Sequence, residues 1–127
     1  MSADIWLEDK HGEQITFSYD PDAALRNLIP MRVAGEVTDN SFNLTYNLTP
    51  MLRHAGMPPW SDLVGMNAGE AGQVWRKTHD ALHADPDGCR ALNPDNGWGT
   101  YEQAVEVIGA LAEVCEKYPD ATVGGWL

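Results

Sequence analysis

Along residues 42–48, "FNLTYNL", the apolar Phe42, Leu44, Tyr46 and Leu48 alternate with Asn43, Thr45 and Asn47. Successive strand side chains point to opposite faces, so this spacing predicts a half-buried strand with one polar face. Two β-rich runs, 5–8 and 14–19, flank Lys10-His11-Gly12, where glycine can supply the positive φ of a tight turn. They predict an N-terminal hairpin. Asp20-Pro21 resembles a helix N-cap and first-turn proline, opening a short helix to about residue 28 that Pro30 would end. Residues 31–40 show no clear period and read as an irregular strand or excursion.

The helical period enters after residue 48. Thr49-Pro50 reads as a cap and first helical residue of a short helix stopped by Gly56 and Pro58-Pro59, with Trp60 in a loop. Asn67 followed by Glu70 resembles a capping box, and behind it Ala71, Val74, Trp75, Thr78 and Leu82 share one face. That predicts a helix over 68–84, closed by Asp85-Pro86-Asp87-Gly88. Thr100 followed by Gln103 repeats the device, and Tyr101, Ala104, Val105, Ile108, Leu111, Ala112 and Cys115 line one side of a helix over 101–117. After Pro119, "ATV" returns as a possible edge strand. The fold class is α+β: a small antiparallel sheet, made of the hairpin, strand 42–48 and a possible C-terminal strand, packed against two main helices. A chain of 127 residues fits one domain.

Charge narrows the partners. With 19 acidic against 8 basic side chains the net charge is −11, which argues against direct binding to nucleic acid or anionic lipid, since a phosphate footprint needs clustered Lys and Arg. A basic protein surface is compatible. No run approaches the ~20 apolar residues of a membrane span. The start "MSADIWLEDK" has neither a basic opening nor an apolar stretch of signal length, so a cytoplasmic location with reduced Cys89 and Cys115 is expected. Both thiols should be inert, as neither has a catalytic partner in sequence and Cys115 lies on an apolar helix face.

The stretch "ALNPDNGWGTYEQ", 91–103, carries the candidate chemistry. Gly97 and Gly99 allow close backbone approach, Trp98 offers a flat face for stacking, and Asn93, Asp95 and Asn96 supply donors and acceptors. Tyr101 opens the helix behind them, where first-turn N–H groups favour an anion or polar edge. The second capped start, with Asn47 and Thr49, and the outward-facing Asn43 and Thr45 would line a groove with this loop. The competing reading is structural: Asn-Pro and Asn-Gly are ordinary turn formers, and a tryptophan beside a helix start can plug the core. His79 and His83, four apart, have the spacing of two metal ligands, but no third ligand is evident and a solvated, acid-rich helix face is the favoured reading, so no metal is expected there. No cofactor, nucleophile elbow or phosphate-binding glycine loop is implied.

Taken together, "YNLTPM" at 46–51, "NAGEAG" at 67–72, "ALNPDNGWGTYE" at 91–102 and "EVCEKYPDATV" at 113–123 resemble a family of small proteins without assigned activity encoded by actinobacterial phages and their hosts. The resemblance covers most of residues 42–123 and supplies no functional residues to carry over. It implies an accessory role: binding a host protein, or sequestering a small molecule such as a nucleotide signal of host defence. The reading that leads from sequence is a non-enzymatic protein binding a small polar, nucleotide-derived ligand through the 93–101 loop and the 47–51 helix start. Its alternative is an acidic interaction protein that binds a host protein through a basic surface.

Overall fold

The computed structural model describes residues 2–15, 28–33 and 36–127, with 28–33 and 36–40 described as backbone only. Strands β1 (Ser2–Glu8), β2 (Leu28–Val33), β3 (Glu36–Thr45) and β4 (Thr122–Trp126) form a four-stranded sheet in the order β2-β3-β1-β4, and every pairing is antiparallel. Period-two alternation sends Ala3, Ile5 and Leu7 of β1, Phe42 and Leu44 of β3 and Val123 of β4 into the core. Asp4, Trp6 and Glu8 face the other way. The edge of β4 is covered by the segment before the first long helix: the Gly65 N–H donates to the Val123 carbonyl at 2.7 Å and the Val123 N–H to the Met66 carbonyl at 2.9 Å.

The helices are α1 (Thr49–His54), α2 (Trp60–Leu63), α3 (Ala68–Ala84), α4 (Pro86–Arg90) and α5 (Tyr101–Lys117). The two long ones start where their caps place them. Asn67 Oδ1 accepts from the Glu70 N–H at 3.2 Å, and Thr100 Oγ1 from the Gln103 N–H at 3.1 Å. They pack antiparallel, and glycines set the spacing: a Cβ on Gly72 would lie 2.9 Å from Cys115 Cβ, and one on Gly109 2.9 Å from His79 Nε2. Trp75, fully buried, fills the layer beneath and meets Trp60 with ring centroids 6.3 Å apart. Truncating a side chain of that size in a packed core costs about 3–5 kcal/mol.

Several elements differ from the sequence expectation. The strand expected to reach residue 48 ends at Thr45, because Thr45 Oγ1 accepts from the Asn47 N–H at 3.3 Å and a 3₁₀ turn, Tyr46–Leu48, takes over. Thr49 is the first residue of α1 rather than its cap; the cap position is Leu48, with Pro50 in the first turn. Trp60 opens a helical turn instead of sitting in a loop. Pro30 ends no helix here. It lies within β2, opposite Asn40, on an edge strand that tolerates a missing donor. The N-terminal hairpin begins as expected, with Glu8 opposite Gln14 and the Ile15 N–H donating to the Leu7 carbonyl at 2.8 Å. Its continuation over 16–19 and the helix expected from residue 20 lie outside the described residues, although Leu28 belongs to β2.

Candidate functional site

The loop between α4 and α5 is built from local hydrogen bonds. Asp85 caps α4 by accepting from the Gly88 N–H at 3.1 Å and also meets His54 Nε2 at 2.9 Å, which ties α4 to α1. Arg90, closing α4, reaches Glu102 at 3.1 Å and lies 4.8 Å above the Tyr101 ring. The chain then turns at Pro94, whose carbonyl accepts from the Gly97 N–H at 3.3 Å, and Asn96 Oδ1 accepts from the Trp98 N–H at 2.9 Å. Gly97 and Gly99 have φ of 75° and 115°, conformations that L side chains rarely adopt.

Gly99 also fixes where the loop sits. A Cβ there would be 2.9 Å from Leu48 Cγ and 2.9 Å from Thr45 Cγ2, so the bare backbone is pressed against the end of β3. The two stretches singled out in the sequence therefore meet. Asn43, Thr45, Gly97, Trp98, Gly99 and Gln103 line a shallow hollow of about 350 Å³. Trp98 does not plug the core: it is 68% exposed. Gln103 was legible only as a capping residue, and its place in the hollow follows from the docking of the loop on β3.

The remaining candidates separate. Asn93 Oδ1 accepts from the Tyr101 N–H at 2.8 Å, making it a bracket for the start of α5. Tyr101 is buried and its hydroxyl donates to the Leu82 carbonyl at 2.8 Å, so its ring belongs to the core. Asp95 is exposed at the turn. Asn47 is exposed and donates from Nδ2 to Thr45 Oγ1 at 3.1 Å. Thr49 opens onto a different pocket, beside Tyr46, Arg53 and Trp60.

The first-turn N–H groups of α5 are already engaged. That of Tyr101 goes to Asn93 and that of Gln103 to Thr100, while the Glu102 N–H meets its own carboxylate. This last contact, with Arg90, holds the Glu102 carboxyl below its ordinary range. A helix start so occupied has little left for an anion.

His79 and His83 stand edge to face with ring centroids 4.5 Å apart. Burial, followed by the neighbouring His83 and Arg76, pushes the His79 pKa down, with Asp80 opposing. Among the described residues no group of three or more His, Cys, Asp or Glu side chains is placed to hold a metal ion. Cys89 and Cys115 are both buried; burial raises both thiols, Cys115 to about 12, so neither is a ready nucleophile near neutral pH.

The outer sheet face continues from the hollow. Asn43 donates from Nδ2 to Ser2 Oγ at 2.8 Å and Asp4 Oδ1 at 2.7 Å, and Asp4 lies opposite Trp126, which is 74% exposed. Trp6 lies over Gly124 and donates from Nε1 to Glu8 Oε1 at 3.0 Å. Among the described side chains of β1, β3 and β4 that face outward, the charged ones are Asp4 and Glu8, both acidic. No helix among the described residues is long and apolar enough to cross a membrane. Comparison of the chain with protein-family models, with curated proteins and with solved structures gives no match.

Proposed function

We propose that this chain is a binding protein that recognises a basic surface on another protein, with Trp98 as the anchoring side chain. Trp98 carries the proposal: a large aromatic ring, 68% exposed, held on a turn by two glycines of positive φ and an asparagine. Exposing such a ring is unfavourable unless something covers it, and rigid tryptophans are the commonest energetic anchors of interfaces. Trp126, also exposed, stands in register with Asp4 and Asn43, about 10 Å by strand spacing from Asn43, which lines the hollow beside Trp98. Two exposed aromatic rings, with the Asp4 carboxylate in register with Trp126 and Asn43, suit arginine and lysine side chains, which stack on tryptophan and pair with acids. The net charge of −11 works in the same direction and would steer association. The phage resemblance would make the partner a host protein in the bacterial cytoplasm.

A second reading, the small planar polar ligand, is favoured by the hollow beside Trp98 and its amide and hydroxyl lining from Asn43, Thr45 and Gln103. It takes second place because the α5 start is engaged internally and the surroundings are acidic, which disfavours phosphate. The experiment that separates them is thermal unfolding against mono-, di- and cyclic nucleotides and nucleosides, run beside affinity capture from an actinobacterial lysate. Saturation at 100 times the dissociation constant adds about 2.7 kcal/mol, several degrees for this chain. A nucleotide-dependent shift lost in Trp98→Ala would install the second reading. A flat panel, with a captured protein that is lost in Trp98→Ala and at high salt, supports the first.

A further inference from the structure

A second concavity, unrelated to Trp98, lies between α1 and α2. It holds about 230 Å³, more than the roughly 150 Å³ of a dry cavity that takes up benzene. That is room for a ring and one polar substituent, and less than the roughly 300 Å³ at which drug-sized pockets begin. Its walls are apolar and fixed: Leu52, Met57 and Trp60 are buried, and Trp60 is backed by Trp75 at 6.3 Å. Pro58 and Pro59, which turn the chain from α1 into α2, hold the opening rigid.

The polar groups sit on the less buried side. Tyr46 and Thr49 are half-buried, and Arg53 is exposed and is the only charged residue among the described residues that line the pocket. Among the described residues Arg53 makes no ion pair, whereas Arg76 and Arg90 are paired with Glu116 and Glu102. A guanidinium without an acidic partner among the described residues, beside an apolar cup in a chain of net charge −11, is a local reversal of the prevailing charge. Its five donors in a planar fork match a carboxylate.

We propose that this pocket is a binding site for a small aromatic carboxylate, its ring against Trp60 and Met57 and its carboxylate on Arg53. The site is independent of the Trp98 surface. The probe is 2-naphthoate, with 2-naphthamide as the neutral control, titrated into uniformly ¹⁵N-labelled protein and followed at the Trp60 indole N–H and the Arg53 Nε–H. Saturable movement of both signals is the expected result. The amide should bind at least roughly fivefold more weakly, and Arg53→Gln should weaken naphthoate by a similar factor, since a charge-assisted hydrogen bond is at stake. Arg53 is exposed and makes no ion pair among the described residues, so the variant keeps the fold, which the rest of the spectrum checks. Trp98→Ala should leave the titration unchanged. A Trp60 signal that does not move at saturating naphthoate would overturn the proposal, and so would equal binding of acid and amide or an Arg53→Gln variant that binds as the parent does.

Discussion

Tyr101→Phe should cost far more stability than one oxygen atom suggests. Tyr101 is buried and its hydroxyl donates to the Leu82 carbonyl at 2.8 Å. Four residues beyond Leu82 stands Pro86, which has no N–H, so that carbonyl cannot receive the usual helical hydrogen bond. The phenol supplies the missing donor across the α3–α5 interface. Removing it leaves a buried carbonyl unsatisfied, a loss of about 1–3 kcal/mol, against roughly 1 kcal/mol for an average hydrogen bond. For a chain of this length the midpoint should fall by roughly 4–12 °C. Urea unfolding followed by tryptophan fluorescence would show a lower midpoint with an unchanged slope. The hydroxyl is also held neutral, burial raising its pKa against the opposing effect of Arg90. That stability is present below the unfolded tyrosine value of about 10 and is lost as pH rises through the folded one, so the gap between parent and variant should narrow at high pH. A stability loss below about 0.5 kcal/mol at neutral pH would refute the reasoning.

Gly99→Ala combines a positive φ with the crowding at Leu48 and Thr45 and should destabilise by about 2–4 kcal/mol, whereas Gly97→Ala, with open space at its Cβ, should cost only the backbone term of about 1–2 kcal/mol. Equal effects in urea unfolding would mean that the loop does not dock on β3. His79, whose pKa is lowered first by burial and then by His83 and Arg76, favours its neutral form in the folded chain. Its stabilisation is complete above the unfolded value of about 6.5 and is lost as pH falls through the folded one. The parent should therefore lose more stability than His79→Gln as pH drops from neutral into that range, and parallel pH profiles would count against the assignment.

The long helices were legible because capping and periodicity agree: Asn67 and Thr100 do cap α3 and α5, and the apolar stripes behind them are the faces that pack. The alternation in β3 was equally plain through Thr45. What escaped was decided by contacts that sequence distance hides. A side chain that can bond its own backbone, Thr45, cut the strand short. Pro30 reads as a terminator until an edge strand makes room for it. Tyr101 lies on the same stripe as Ala104 and Ile108, and helical phase alone favoured the core over the ligand role given to it by its neighbours. The meeting of the Trp98 loop with Thr45 and Leu48 rests on a missing Cβ at Gly99, which composition signals only as a glycine in a turn. The Arg53 pocket left no motif, since it arises where Pro58-Pro59 fold Trp60 back over α1.

The central claim is that the exposed Trp98 surface holds a partner. Its most direct test is quantitative affinity capture from an actinobacterial lysate by the parent and by Trp98→Ala, each at about 0.05 M and about 0.5 M salt. Trp98 is 68% exposed, so the variant should unfold at the parent's urea midpoint. The account predicts a protein captured stoichiometrically by the parent at low salt, depleted at high salt, and reduced at least about thirtyfold in the variant, the effect of losing an anchor of 2 kcal/mol or more. Capture that is equal in parent and variant, or indifferent to salt, would contradict it.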